Sequence, residues 1–422
     1  MNNKLNRNEI EALLAKELKR FSEFKSKGLK LDMSRGKPCE AQLDLSQGLF
    51  DTLTSKSLVK GIQDYRNYGL IDGIPELKKI IAELIDVETN ELILAGNSSL
   101  NLMYDSVQRA MQFGVLGHAP FNKQGNIKWL CVVPGYDRHF AVTQCFGIEM
   151  INIQMNSDGP DMHAIEIAIT DPAVKGIWCV PKYSNPQGVV FSDAVVERFA
   201  KLKPAAPDFR IYWDNAYMMH TLEKTDADLM NILWAAKKYD NEDIVYIFGS
   251  TSKISFAGGG VAFIASSSKN IADIKKHMAF QTIGHDKINQ YAHYLFFKNA
   301  DTIKKHMLKH AKIIAPKFET VLNVLDSELK NLGFASWIKP RGGYFISCDL
   351  AKNTAKRAVQ LAKEAGVIFT PAGSTYPYGI DPNDSNVRIA PTLPNIDDLT
   401  IAMQVFCCCG KIAYFENILK QK

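Results

Sequence analysis

Gly176-Ile177-Trp178-Cys179-Val180 runs directly into Pro181-Lys182-Tyr183-Ser184-Asn185-Pro186. An apolar run without alternation is the pattern of a strand buried on both faces, and the polar, proline-rich turn ends it. The same figure recurs on either side. Residues 92–95 stop at Gly96-Asn97-Ser98-Ser99, and residues 129–133 at Pro134-Gly135-Tyr136-Asp137-Arg138-His139. Residues 211–213 stop at Asp214-Asn215-Ala216-Tyr217, and residues 244–248 at Gly249-Ser250-Thr251-Ser252-Lys253. Residues 150–153 and 261–265 complete seven strand candidates, with helical patterns such as 100–113 and 194–202 between them, opened by serine caps at Ser98, Ser99 and Ser192. This alternation predicts an α/β fold: a mostly parallel seven-stranded sheet with helices on both faces.

Outside this core the rhythm changes. Leu5, Ile10, Leu13, Leu14, Leu18 and Phe21 mark an amphipathic helix near the N-terminus, and a helix opens at Ile74-Pro75. Residues 286–333 read as long helices interrupted near Pro316; strands over 344–348 and 367–369 and a helix over 396–419 follow. The expected division is a large domain over 61–305, with 1–60 as an N-terminal arm that joins 306–422 in a smaller α+β domain.

Fifty Lys plus Arg against forty-five Asp plus Glu leaves +5 on 422 residues, too little to attract nucleic acid or an anionic membrane. With 46% apolar and 23% charged residues the chain is neither disordered nor fibrous. No apolar run reaches the roughly 18 residues of a membrane span, and the polar N-terminus has no signal-peptide core. The eight cysteines contain no C-x-x-C; Cys407-Cys408-Cys409 read as small helix-packing residues. A cytoplasmic protein without a metal site is expected.

Ligands bind beyond the carboxyl ends of parallel strands, and five of the seven strand ends carry chemistry. Gly96-Asn97-Ser98-Ser99 opens a helix whose N–H groups and hydroxyls suit a phosphate, with Ser250 and Ser252 adding hydroxyls. Asp214 ends an apolar strand, where burial requires a cationic partner. Tyr136 offers a stacking face, and Lys253 lies among Gly, Ser and Thr, where desolvation makes an amine nucleophilic. Phosphate, cationic ring nitrogen, flat ring and imine-forming amine together describe pyridoxal 5′-phosphate (PLP).

Asn185-Pro186-Gln187-Gly188, Asp214-Asn215-Ala216-Tyr217, Ser250-Thr251-Ser252-Lys253 and Arg388 resemble, in order and spacing, the motifs of fold-type-I, PLP-dependent class I aminotransferases. The segments around Ser34-Arg35-Gly36-Lys37-Pro38 and Tyr136-Asp137-Arg138-His139 most resemble a bacterial subgroup of aspartate aminotransferases. The resemblance implies Lys253 as Schiff-base lysine and proton carrier, Asp214 as the partner of the pyridine nitrogen, and His139 as its brace. It implies Tyr217 and Asn185 on the ring's phenolic oxygen, Ser98, Ser99, Ser250 and Ser252 about the phosphate, and Tyr136 on the ring face. Arg388 resembles the arginine that holds the substrate α-carboxylate, with Gly36 and Arg35 in a segment that closes over substrate. Tyr68 matches a tyrosine that reaches the phosphate of a neighbouring subunit, implying a homodimer with shared sites. Where many relatives have a phosphate arginine eight residues after the lysine, this chain has Val261.

The activity so implied is amino transfer between L-aspartate or L-glutamate and 2-oxo acids in a ping-pong cycle. Arg138 is the candidate for the distal carboxylate, with Arg35 next; an ion pair between Arg138 and Asp137 is the structural alternative. Other enzyme readings are an aminotransferase for aromatic or neutral amino acids, or a β-lyase or decarboxylase. A ligand-sensing regulator ranks last, since about 30 residues before Ser34 are too few for a winged helix. His306 and His310, four apart among lysines, read as a solvated cationic helix face, and Gly258-Gly259-Gly260 lacks the dinucleotide-binding spacing.

Overall fold

The computed structural model describes residues 6–57 and 62–421. Leu5 and the expected domain boundary at 60/61 lie outside them. Helix α1 (Arg7–Ser26) opens on a capping box: the Asn6 side chain accepts from the Glu9 N–H at 2.9 Å, and Glu9 accepts from the Asn6 N–H at 2.7 Å. Strand β1 (Leu31–Asp32) and helix α2 (Glu40–Asp44) follow. Helix α3 (Pro75–Ile85) starts with proline, whose missing N–H costs nothing in a first turn.

The alternating region comprises β2 (Leu92–Leu94), α4 (Ser99–Phe113), β3 (Lys128–Val133), α5 (Asp137–Cys145), β4 (Glu149–Asn156) and β5 (Gly159–Pro160). It continues with α6 (Met162–Ala168), β6 (Val174–Cys179), α7 (Asp193–Ala200), β7 (Arg210–Asp214), α8 (Ile232–Lys237), β8 (Val245–Ser250), β9 (Ala262–Ala265) and α9 (Ser268–Met278). They build one sheet in the order β2-β9-β8-β7-β6-β3-β4-β5. The pairs β4–β3, β3–β6, β6–β7 and β7–β8 are parallel, while β9 runs antiparallel to both of its neighbours. All seven expected strands are present. The eighth, β5, is a two-residue edge pairing of Gly159 and Pro160, too short to leave a hydropathy signal.

The unalternating hydropathy has a direct cause. In β7, Ile211 and Trp213 enter the core on one sheet face and Tyr212 the core on the other, so every position is buried.

After α10 (Lys287–Phe297) comes α11 (Ala300–Leu329), then β10 (Ser336–Trp337), β11 (Ile346–Asp349), α12 (Ala355–Glu364), β12 (Val367–Ile368), β13 (Asn386–Ile389) and α13 (Ile396–Gln421). Strands β10, β11 and β13 form an antiparallel sheet, and β1 pairs in parallel with β12, which ties the N-terminal segment to the C-terminal part. Their helices enclose a separate core that includes Phe318, Val321, Leu325 and Phe406.

The expected interruption at Pro316 is absent: α11 runs through it, and the break falls at Lys298 and Asn299, where Asn299 caps the Thr302 N–H at 2.9 Å. A mid-helix proline costs about 3 kcal/mol; burial of Ile314, Phe318 and Val321 around it offsets that. The same helix crosses the expected boundary at 305/306, giving Ala300, Ile303 and Met307 to the large core and Phe318 onward to the small one. Helix α13 is long and apolar enough to cross a membrane, yet 72% of its apolar window is buried against protein, Cys407, Cys408 and Cys409 included.

Candidate active site

The carboxyl ends of β3, β6, β7 and β8 and the start of α4 open onto one cavity of about 1010 Å³. The sequence-derived residues Ser98, Ser99, Tyr136, Asn185, Asp214, Tyr217, Ser250, Ser252 and Lys253 line it from the large domain. Arg35, Gly36 and Arg388 line it from the smaller one, and Arg138 stands at the start of α5. Two expected residues are elsewhere: His139 lies behind Asp214, and Tyr68 is 79% exposed outside the cavity.

One corner offers an anion backbone dipoles and hydroxyls. Ser98 is the residue before α4, but its hydroxyl makes no capping bond, unlike the expected cap. The helix N-terminus and the Ser98 and Ser99 hydroxyls thus face the cavity. Ser250 and Ser252 donate to the Asn97 carbonyl at 2.8 and 2.7 Å, bringing β8 against this turn. Gly260 is required beside them, since a Cβ there would stand 2.7 Å from the Ser252 nitrogen. Val261 is buried and its N–H donates to Thr251 Oγ1 at 2.9 Å, so this position contributes to the loop rather than to the cavity.

Asp214 is 2% exposed at the end of β7. Its Oδ2 accepts from His139 Nε2 at 3.0 Å, and the His139 ring stacks on Trp178 at 4.6 Å and 11°. Trp178 Nε1 in turn donates to Thr143 Oγ1 at 2.7 Å. The other oxygen, Oδ1, is buried without a partner. An unsatisfied buried carboxylate oxygen is costly, and a cationic N–H arriving from the cavity removes that cost. The donor set therefore fits a protonated pyridine ring.

Lys253 is half-buried, and desolvation holds its amine below the ordinary lysine value, with Asp214 acting in the opposite sense. Its ammonium lies 5.1 Å from the centre of the Tyr217 ring. Burial pushes the Tyr217 phenol well up, and raises that of Tyr136 to about 12, with Asp214 and Asp137 adding to the latter.

Behind the lysine the structure corrects the sequence. His306 and His310 are not a solvated face: they are 6% and 1% exposed, with Nε2 atoms 3.1 Å apart. His306 Nε2 meets the Ile254 carbonyl at 3.0 Å, His220 Nε2 the Lys253 carbonyl at 3.3 Å, and His293 Nε2 the Ser255 hydroxyl at 2.8 Å. Three imidazoles thus grip three consecutive residues at the lysine. The lysine-rich pattern of 304–312 concealed this because the cover, Gln42 and Ser46, comes from more than 250 residues away.

Arg388, on β13, is 7% exposed. Its Nη1 donates to Asp137 Oδ1 at 2.8 Å and, more weakly, to Asn185 Oδ1 at 3.4 Å; Nη2 donates to Thr370 at 3.3 Å, and the guanidinium stands 4.8 Å over the Phe345 ring. The alternative pairing of Arg138 with Asp137 is not formed: Asp137 is taken by Arg388, and Arg138 has no ion-pair partner among the described residues. Gly36 is set by close approach, since a Cβ would lie 2.6 Å from Phe345. Sequence reasoning missed Asp137, Thr370 and Phe345 as the surroundings of Arg388; a strand signal at 386–389 would have aligned it with β11, but four residues give too little pattern.

A parallel sheet whose carboxyl edge joins a half-buried lysine, a half-satisfied aspartate and a hydroxyl-lined helix N-terminus defines a fold-type-I aminotransferase. The chain belongs to the aspartate aminotransferase family, whose model matches residues 5–422. It is 43% identical over 409 residues to the aspartate aminotransferase of Corynebacterium glutamicum, covering 96% of this chain and 94% of that one. The crystal structure of an aspartate transaminase from the same organism superposes with a TM-score of 0.96 at 41% identity, covering 98% of both chains. An α-aminoadipate aminotransferase from Thermus thermophilus, solved with N-(5′-phosphopyridoxyl)-L-leucine, shares the fold at a TM-score of 0.73 and 16% identity, covering 96% of this chain and 95% of that one.

Proposed function

We propose that this aminotransferase uses PLP to move the amino group of L-aspartate to 2-oxoglutarate, giving oxaloacetate and L-glutamate in a ping-pong cycle. The observation that carries the reading is the unpartnered Oδ1 of Asp214, a residue that lines the same cavity as the half-buried Lys253. When bound, the cofactor supplies an electrophilic carbon for the amino group and a cationic ring that accepts electrons.

The chain's own groups do the rest. Asp214, held by His139, keeps the ring nitrogen protonated, since an ionised carboxylate at hydrogen-bond distance favours the cation. Lys253, its amine biased toward the neutral form by desolvation, would bond the cofactor's electrophilic carbon and carry a proton from the substrate Cα. Tyr217 and Asn185 hold the ring's phenolic oxygen, and Tyr136 covers the ring face. The α4 N-terminus with Ser98 and Ser99 would hold the phosphate through dipoles and hydroxyls, and Ser250 and Ser252 would join them by turning their hydroxyls from the Asn97 carbonyl. Arg388 seats the α-carboxylate, and Arg138, with Arg35 and Gly36 in the closing segment, receives the distal one. Tyr68 completes the phosphate site of a second copy in a homodimer. A cytoplasmic location is consistent with eight free cysteines, and a large and a smaller domain, divided within α11 rather than at 305/306, with the separate cores on either side of it.

Purified protein is expected to be yellow. Borohydride reduction followed by peptide mapping should place the pyridoxyl group on Lys253; a label on another lysine removes the assignment. A half-reaction spectrum recorded with a panel of amino acids then tests the substrate, and a response to alanine or phenylalanine equal to that with aspartate rejects the dicarboxylate preference.

A further inference from the structure

Asp137 stands in the first turn of a helix, a favourable place for an acid, yet it is also paired with the site's arginine. It opens α5 between the two residues assigned to the ring face and the distal carboxylate, Tyr136 and Arg138. Its carboxylate caps nothing; among the described residues its one ion-pair partner is Arg388, at 2.8 Å, and its side chain is 32% exposed. The cation it holds is the one that must seat the substrate's α-carboxylate.

The edges of the Arg388 guanidinium are not equivalent. Nε is fully buried and has no partner, so it presents no accessible surface to an incoming group. The Nη1 protons are both engaged, one by Asp137 and one by Asn185, and the partly exposed Asp137 is the element of that edge that solvent reaches. A carboxylate that docks as a two-pronged fork therefore meets an Nη1 proton already given to Asp137.

We propose that Asp137 is a displaceable occupant of the carboxylate seat, so that every α-amino acid enters by exchanging its α-carboxylate for that of Asp137. The proposal rests on the reading of Arg388 above and extends it. In the empty site Asp137 compensates a guanidinium that would otherwise be buried and unpaired; in the filled site the substrate does so. Because the exchange is common to all α-carboxylates, it sets affinity without changing the preference among amino acids, which separates it from the role of Arg138.

The test uses the holoenzyme and maleate, a dicarboxylate that cannot be transaminated, with affinity read from a spectral titration. Asp137→Asn and Asp137→Ala should bind maleate about fivefold tighter, the scale of a partly exposed ion pair, and lower KM for aspartate and for alanine by the same factor. Asp137→Glu, whose carboxylate still reaches Arg388, should stay near wild type. Unchanged or weaker maleate binding in Asp137→Asn overturns the proposal, provided Arg388→Ala loses maleate. If Arg388→Ala binds maleate normally, the assignment of Arg388 itself fails. A crystal structure of the wild-type holoenzyme with maleate tests the exchange without a variant: Asp137 should have left Nη1, and an intact contact near 2.8 Å with maleate seated sinks the exchange.

Discussion

At the scale of single residues, the cations of the cavity bear on the proposed substrate. Asp137 belongs to Arg388, which leaves Arg138 one residue along with no ion-pair partner of its own among the described residues. A free planar guanidinium two residues from Tyr136 fits the distal carboxylate of aspartate or glutamate. Arg138 is exposed, so Arg138→Ala should lose about 1 kcal/mol in kcat/KM for aspartate, the upper end for an exposed ion pair. The loss for a neutral amino acid should be far smaller; equal losses take Arg138 out of the specificity site and leave Arg35 to be tested. Residues of this kind are legible in the sequence where chemistry and chain order coincide: Asp214 ends a strand, and Asn185 and Lys253 lie in the polar turns that directly follow one. The partner of Asp137 is not legible in that way. Arg388 is 251 residues away, and charge adjacency along a chain, which points to Arg138, says nothing about such a distance.

At the scale of elements, α11 is where sequence and structure part most clearly. Its helical period is plain in the sequence, but its break and its buried polar face are not. Packing around Pro316 outweighs the proline, and two histidines that sit among lysines meet α2 and the Lys253 segment rather than solvent. The consequence is measurable in stability. Burial, with His306 adding, lowers the His310 pKa to about 4, while the unfolded chain keeps about 6.5. A depressed value means that the unfolded state binds more protons between these limits. The contribution of His310 is thus complete above pH 6.5 and is lost as pH falls toward 4. Burial likewise lowers His220, His293 and His306, so their losses run in the same direction. Chemical denaturation from about pH 7 to about pH 4 should show a fall in unfolding free energy of a few kcal/mol, and His310→Gln should flatten it while costing stability at neutral pH. A His310→Gln profile as steep as wild type would show that the buried histidine pair is not what titrates.

At the scale of the whole molecule, one chain leaves its best apolar surface uncovered. Phe280 is 86% exposed, Ile62 75%, Ile283 63% and Tyr68 79%. The turn at Gly284 touches the one at Gly69, so the segments that carry these side chains are neighbours. Phe50, 68% exposed, stacks at 4.9 Å on Phe256, three residues past Lys253, which brings exposed apolar surface close to the Lys253 segment. Leaving such side chains in water forgoes about 1.5–3 kcal/mol each, and a second copy of this chain is the partner that would cover them and bring Tyr68 to the opposite phosphate corner. No pattern within one sequence distinguishes a residue exposed in the monomer from one buried between copies, so Tyr68 is legible through family resemblance alone. Sedimentation should give a dimer, and Phe280→Asp with Ile283→Asp should shift it toward monomer. Shared sites make a sharper claim. Lys253→Ala subunits, inactive for want of the amine, keep Tyr68; Tyr68→Ala subunits keep Lys253 but should load cofactor poorly, since the anion corner holds no arginine to compensate. Mixed and allowed to exchange, the two should form heterodimers in which one site is built from both intact groups, restoring up to half the activity per heterodimer. Exchange confirmed by mass with no recovered activity would mean that each chain completes its own site.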